Sequence, residues 1–481
     1  MTTTNGTRPI LDLKLWQYCS PAPVTTGAAM FIASSRHYRQ QQLYVTSATS
    51  AYLYNPAEDG WIALPSPALG GTFGAGACGV AVAVGPNGTA SAGSTTSITS
   101  NLNLQRDLRG YSIHITGGPN AGATLEIAGN TIGASSVITV AVAQGVAFSA
   151  STTFRLLTPR WYVLNAVASA GTTTANLFKY YDFALNTWTA AETGATDGVA
   201  PAAVIGTDGR LISTPSWIDT NYVTFATGTA TSGSAAGAFT ISNSGKSWAT
   251  NQWANAYQIR IVSGAGAGQV RTIASNTGTQ ITVASAWATT VDNTSVYAIE
   301  GCDDYIYYTG SGGTAVYRYS ISAGSWTSLA TRTAPGAGVS AHWVYGVSAA
   351  DWNVENSILN GRYIYSFRGA AGGLIDRYDI PSNTWTNGLP YAPAAETFTT
   401  GTKFAYHDDF IYVQKDATGR WFKFDIARSA MDGWGTMLMT QGAAVLGDTA
   451  FDVVYRDGAT EIQWIHMILN TSPVHLRCMV I

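Results

Sequence analysis

The chain has 481 residues, only 11% of them charged, and a formal net charge of −3. With no basic cluster, that balance argues against a nucleic-acid partner, and apolar runs such as AAMFIAS, ending at Ser34, are too short to cross a bilayer. The four cysteines (Cys19, Cys78, Cys302, Cys478) lie far apart without a Cys-x-x-Cys, so neither a zinc site nor a disulfide framework is implied.

The elements then follow in chain order. ILDLKLWQYCSPAP (10–23) is a strand standing ahead of any regular unit, and its N-terminal flank lacks the charged-then-apolar plan of a secretory signal. QLYVTS (42–47) alternates with period 2, as a half-buried strand does, and leads to YNPAEDGW, from Tyr54 to Trp61. The glycine-rich GTFGAGACGVAVAV (71–84) suits an innermost strand, where small residues let several sheets crowd together. RWYVLNA (160–166) precedes YDFALNTW (Tyr181 to Trp188), and DDYIYYTG (303–310) precedes YSISAGSW (Tyr319 to Trp326). A second glycine-rich strand, APGAGVSAHWVYGV (334–347), is followed by GRYIYSF (361–367) and YDIPSNTW (Tyr378 to Trp385). DDFIYVQK (408–415) introduces FDIARSAMDGW, where Phe424 replaces tyrosine and three extra turn residues precede Trp434.

In the other four copies the tryptophan falls seven residues after the tyrosine. Such spaced recurrence governs architecture ahead of any local signal. Each unit reads as an inner strand, two further strands ending at the tyrosine, a polar turn, and an outer strand opened by tryptophan. Four antiparallel strands repeated about a centre make an all-β propeller. The repeat tryptophans are expected in the core between sheets, and Asp182, Asp379 and Asp425 as turn caps.

Two segments interrupt the spacing. GTA…YSIHITGGPNAGATLEIAGN…SVITVAVA and GTA…YQIRIVSGAGAGQVRTIASN…QITVASAWATTVDNTS align throughout, Tyr111 with Tyr257 and Ile138-Thr-Val with Ile281-Thr-Val. Each predicts a small β module, marginal alone and expected to lean on its host blade or on a neighbouring chain. The expected organisation is propeller over 1–88, module over 89–153, propeller over 154–228, module over 229–296 and propeller over 297–481. SGAGAGQVR (263–271) lacks the Gly-Lys-Ser/Thr ending of a phosphate loop and leads into a strand, so it reads as a turn.

After the fifth unit come strands near 451–456, 461–469 and 474–480, with no tryptophan-led outer strand. The spare N-terminal strand is expected to complete that sheet, closing a ring of six blades, with five and seven as the alternatives. Cys19 and Cys478 would then lie close, within reach of a disulfide.

The six histidines (His37, His114, His342, His407, His466, His475) show no metal-ligand spacing, and no nucleophile elbow appears. No catalytic residue, metal or cofactor is therefore expected. Tyrosine or phenylalanine, a short turn and tryptophan, with Gly312-Gly313 and Gly372-Gly373 in preceding loops, resemble the kelch-type propeller repeat. The second module followed by DDYIYYTG…YRYSISAGSW resembles kelch-like, insert-bearing propeller proteins of tailed-bacteriophage virions. That resemblance implies a non-enzymatic structural or attachment protein of the head, neck or tail, made in the host cytoplasm. Its expected partners are other virion proteins in symmetric multiple copies. An alternative is a receptor or fibre protein binding a host-surface glycan. A kelch-type enzyme such as a copper oxidase would need a Tyr–Cys crosslink with further Tyr and His ligands, a set not assembled from this sequence.

Overall fold

Runs of alternating aromatic, β-branched and polar residues hide one face and leave their backbone groups to a neighbouring strand. Among the described residues they give thirty-six strands and no helix. The computed structural model describes residues 16–21, 23, 29–33, 42–47, 50–55, 58–67, 78–82, 84–121, 123–164, 178–191, 210–213, 224–254, 257–301, 305–309, 314–321, 324–332, 342–346, 363–368, 374–380, 382–390, 403–407, 410–415, 420–425, 430–436, 445–457, 460–469 and 475–480.

Strand β1 (Trp16–Tyr18) stands apart from the sheet that follows it, an antiparallel meander of β2 (Ala29–Ala33), β3 (Gln42–Ser47), β4 (Ser50–Asn55) and β5 (Gly60–Ala63). β6 (Cys78–Val82) begins a second sheet, which the chain then leaves for six strands. These are β7 (Asn87–Gly93), β8 (Ser97–Ser100), β9 (Ser112–Gly117), β10 (Thr124–Asn130), β11 (Val137–Val140) and β12 (Thr153–Leu157). The chain returns as β13 (Arg160–Leu164), β14 (Phe178–Asp182) and β15 (Thr187–Ala190), which pair in sequence outward from β6.

The third sheet repeats the detour. β16 (Arg210–Ser213) is followed by β17 (Thr224–Thr229), β18 (Thr240–Ser242), β19 (Tyr257–Ser263), β20 (Val270–Asn276), β21 (Gln280–Val283) and β22 (Val296–Gly301). Then β23 (Tyr305–Thr309), β24 (Val316–Ser320) and β25 (Ser325–Ser328) complete it beside β16. Two uninterrupted sheets come next. One holds β26 (His342–Gly346), β27 (Tyr363–Arg368), β28 (Leu374–Asp379) and β29 (Thr384–Pro390). The other holds β30 (Lys403–His407), β31 (Phe410–Lys415), β32 (Arg420–Asp425) and β33 (Ala430–Thr436). The last sheet comprises β34 (Val445–Asp457), β35 (Thr460–Leu469) and β36 (His475–Val480), and its fourth strand is β1, whose Trp16 pairs with Cys478.

The first strands of the four-stranded sheets touch in a closed cycle: β2 lies against β6, β6 against β16, β16 against β26, β26 against β30, β30 against β34, and β34 against β2. Aromatic layers fill the gaps between described neighbours. Tyr162, Phe178, Tyr308 and Tyr319 share one core between the second and third sheets, with Phe178 edge-on to Tyr319 at 4.9 Å.

The two detours share a strand order. β7–β12 close into a barrel, and β17–β22 follow the same neighbours, with a Ser232–Ser242 bridge joining the two ends. Ile113, Ile115, Ile127 and Ile138 fill the first interior, and Ile259, Ile261, Ile273 and Ile281 the second. Asn130 and Asn276 make equivalent clamps, each accepting one backbone N–H, from Leu108 at 2.7 Å and from Trp253 at 2.8 Å. Glycine is required where the walls close, since a Cβ on Gly88 would meet the Phe154 ring at 2.4 Å and one on Gly228 the Tyr297 hydroxyl at 2.6 Å. The first barrel spans Asn87 to Leu157, slightly more than the expected 89–153, and its core is continuous with Trp161, Tyr181 and Phe183 of its host sheet.

Candidate functional site

The repeat residues meet across hairpins. Tyr54 pairs with Trp61, Tyr181 with Trp188, Tyr319 with Trp326 and Tyr378 with Trp385, so a seven-residue spacing is two register partners joined by a short loop. Their rings pack at 5.0 to 5.6 Å between centroids, each pair contributing about 0.5–1.5 kcal/mol beyond area burial. Five residues after each tyrosine the backbone turns left-handed, at Asp59 (φ 45), Asn186 (φ 52), Gly324 (φ 64) and Asn383 (φ 52). Asn, Asp and Gly tolerate that region best. The three side chains accept the tyrosine hydroxyls, at 2.6 Å in Asp59, 2.7 Å in Asn186 and 2.8 Å in Asn383. Gly324 has no side chain to offer, and the Tyr319 hydroxyl donates instead to the Ala191 carbonyl of the neighbouring sheet.

The indoles tie one sheet to the next. Trp61 Nε1 donates to Ser20 O at 3.1 Å, Trp188 to Pro65 O at 2.7 Å and Trp385 to Ala330 O at 3.0 Å. Pro65 and Ala330 each lie four residues beyond the tryptophan of the preceding sheet, and Ser20 lies four beyond Trp16. Trp16 of β1 therefore stands in the tryptophan register of the last sheet. Trp326 departs from this pattern: its Nε1 is buried without a hydrogen-bond partner. The acceptor residue also donates its own N–H to the turn: Ser20 N to Asp59 Oδ1 and Ala330 N to Asn383 Oδ1, both at 2.9 Å. Proline has no N–H, so at Pro65 that bond cannot form. There Arg106, from the β8–β9 connection of the first barrel, supplies the donor, reaching Asn186 Oδ1 at 3.1 Å and the Tyr181 hydroxyl at 2.9 Å.

Three expectations are corrected. The repeat tyrosines, not the tryptophans, form the buried layer: Tyr54 and Tyr181 are 0% exposed and Tyr319 and Tyr378 1%, while Trp61, Trp188, Trp326 and Trp385 are half-buried. The indole lies on the outer strand, with one edge spent on the neighbouring carbonyl. In the fifth copy Phe424 pairs with Met431, which keeps the seven-residue spacing, and Trp434 falls at a bulge opposite Trp421 and Phe422. The extra residues lengthen the strand instead of the turn. Finally, Cys19 is a buried thiol hydrogen-bonded to the Tyr54 hydroxyl, not half of a disulfide. The register sets Cys478 opposite Trp16, and three residues of extended chain, roughly 10 Å, separate that position from Cys19.

The ionisable groups described are arranged as scaffolding. Asp182 is buried, pairs with Arg160 at 2.8 Å and accepts the Leu185 N–H at 3.2 Å, so it caps its turn as expected. Glu300 is fully buried beside Arg260 and accepts from Gln258 at 2.8 Å; burial raises its pKa, partly offset by these two partners. His114 Nδ1 meets the Thr124 hydroxyl at 2.9 Å, and burial, then Arg155, lowers its pKa. Among the described residues no group of three His, Cys, Asp or Glu side chains could hold a metal ion.

A further surface lies at the far ends of the two six-stranded units, β7–β12 and β17–β22. Opposite the host lie the connections 94–96, 118–123 and 141–152 of the first module and 230–239, 264–269 and 284–295 of the second. Of Asp, Glu, Lys and Arg these loops contain Asp292 alone, in a chain that is 11% charged, and Asp292 is bound to the Thr294 N–H and hydroxyl at 2.8 and 2.6 Å. They expose Val142 (66%), Val146 (59%) and Phe239 (47%). Phe239 stands where the first module has Thr96: the Val140 N–H donates to Thr96 O and the Val283 N–H to Phe239 O, at 2.9 and 2.8 Å. The absence of charge was visible in the sequence. Which loops share one end was not, because that depends on the strand order.

No family model matches the chain, and no curated protein does. Among solved structures, YCF48 from Cyanidioschyzon merolae aligns over 96% of this chain and 98% of its own, at 10% identity and a TM-score of 0.35. Myxococcus xanthus glutaminyl cyclase aligns over 37% of this chain and 70% of its own, at 11% identity and a TM-score of 0.23. A chain of the mitotic checkpoint complex aligns over 34% and 44%, at 16% identity and a TM-score of 0.21. At these scores the likenesses assign neither a family nor an activity.

Proposed function

We propose that this chain is a non-enzymatic virion structural protein of a tailed bacteriophage, a kelch-like propeller of six blades that displays two homologous β modules for decoration, assembly or attachment of the particle. The observation that carries the propeller reading is the closed cycle of six first strands, each opening a four-stranded sheet. The hydrogen bonds from one hairpin to the next support it, and the pairing of β1 with β36 supports a ring closed by both chain ends. The virion reading draws on the sequence resemblance of the second module and the repeat that follows it. Exposed loop ends with Asp292 as their one charged side chain fit a protein that presents surface to other proteins, since interface cores are poor in charge. Quantitative mass spectrometry of purified particles is expected to find the protein at a fixed copy number set by particle symmetry. Its absence from mature particles would end the reading.

A further inference from the structure

On β14, β24, β28 and β32 the two positions flanking the repeat aromatic share one face of the strand, because strand faces alternate with period 2. The strings are Tyr180-Tyr181-Asp182, Arg318-Tyr319-Ser320, Arg377-Tyr378-Asp379 and Lys423-Phe424-Asp425. In the last three an aromatic residue of the preceding strand stands in register with each flank. In the first the cation comes from the preceding strand instead: Arg160 is the register partner of Asp182, pairs with it at 2.8 Å and lies 4.6 Å over the Tyr180 ring. The repeat therefore brings a cation, an aromatic and a carboxylate to one place. The third sheet departs from it by one residue, since Ser320 stands where the second, fourth and fifth sheets have aspartate.

Arg318 keeps the rest of the set. Its guanidinium lies 4.2 Å over the Tyr305 ring, and its Nε is buried without a hydrogen-bond partner. The charged and phenolic groups acting on it are Tyr307, Tyr305, Tyr257 of the second module and Tyr378 of the next sheet, with no carboxylate among them. Burial holds the hydroxyls of Tyr257 and Tyr378 above the ordinary phenol range, so neither supplies a negative charge near neutral pH. A guanidinium taken this far from water is costly unless an anion compensates it. Its planar fork matches a carboxylate in two parallel hydrogen bonds. Arg318 and Tyr305 are half-buried and keep surface in contact with solvent. The second module meets its host here, since Tyr305 packs against the module core that holds Tyr257. From this arrangement we infer that Arg318 is the anchor of a binding site for a small carboxylate ligand, which takes the place that an aspartate fills in the neighbouring repeats.

The test is saturation-transfer difference NMR on the purified full-length protein, with sodium acetate titrated to about 100 mM at constant ionic strength so that screening stays fixed. The acetate methyl signal is expected to receive saturation from the wild-type protein and to level off within that range. Ser320→Asp restores the repeat's own carboxylate two residues from Arg318, and should lower the signal at least about fivefold by filling the site from within. Arg318→Gln removes the fork and should lower it as far. Circular dichroism checks that both variants are folded, and if Arg318→Gln is not, Ser320→Asp alone decides. A wild-type protein without a saturable acetate signal, or an undiminished signal in Ser320→Asp, would overturn the site and leave Arg318 stacked on Tyr305 alone. Neither result bears on whether particles contain the protein, so this site and the virion reading fail separately.

Discussion

Asn186 concentrates more dependence than any other described repeat residue. It sits at φ 52, accepts the Tyr181 hydroxyl at 2.7 Å and receives Arg106 from the first barrel. Replacing it with alanine removes the polar side chain that makes the left-handed region tolerable and strands two donors, at a combined cost of about 2–4 kcal/mol. Tyr181→Phe removes a hydroxyl but keeps the ring and the turn, and should cost about 1 kcal/mol. Urea unfolding of both variants checks the order. Equal losses would mean that the turn conformation contributes nothing. At this scale the sequence was partly readable. The Tyr–Trp spacing announced a hairpin, because two register partners at its mouth keep a fixed separation. The left-handed residue was also present in the strings EDGW, LNTW and SNTW. The indole's acceptor was not readable, since it is a backbone carbonyl that any residue supplies, and Pro65 shows how little its identity matters.

Among the elements, the second module carries a buried charge that the first lacks. Glu300 of β22 occupies the place of Leu157 in β12, and its neighbours Gln258 and Arg260 stand where the first module has Ser112 and His114. Burial holds the Glu300 pKa above its ordinary 4.5 in the folded chain. The folded state therefore binds more protons than the unfolded one just above pH 4.5. The glutamate's contribution is greatest below that pH and declines as pH rises through the folded pKa. Glu300→Gln removes the titration, so the stability of the variant relative to wild type should climb between pH 4.5 and 7. Thermal unfolding at three pH values measures it, and a constant difference would refute the assignment. The two segments that align on Tyr111 and Tyr257 have matching strand neighbours. The closure of the first into a six-stranded barrel was hidden, because β7 and β12 pair across more than sixty residues of intervening chain.

For the molecule as a whole, the sixth sheet is the vulnerable part. β1 contributes three residues to it, and just beyond them Ser20 contacts the first hairpin through Asp59 and Trp61. Deleting residues 1–20 should therefore lower stability by roughly 3 kcal/mol, counting about 1 kcal/mol for each of those two bonds and for the lost pairing. It also bares β36 as an edge strand, so aggregation at micromolar concentration should accompany the loss. Differential scanning calorimetry and light scattering read both effects, and an unchanged transition would show that the N-terminal strand is dispensable. This sheet was the hardest to foresee in detail, since Cys478 stands where four of the other sheets have tyrosine and the fifth has Phe424.

The pairing of Trp16 with Cys478 also dictates a timetable. During synthesis β1 has no mate until β36, more than 450 residues further along the chain, has been made, and the flank of β1 stays bare until then. Joining segments so remote in sequence is slow in proportion to the loop entropy it must overcome. Pairing of β1 thus waits on β36, and a chain lacking β36 cannot make it.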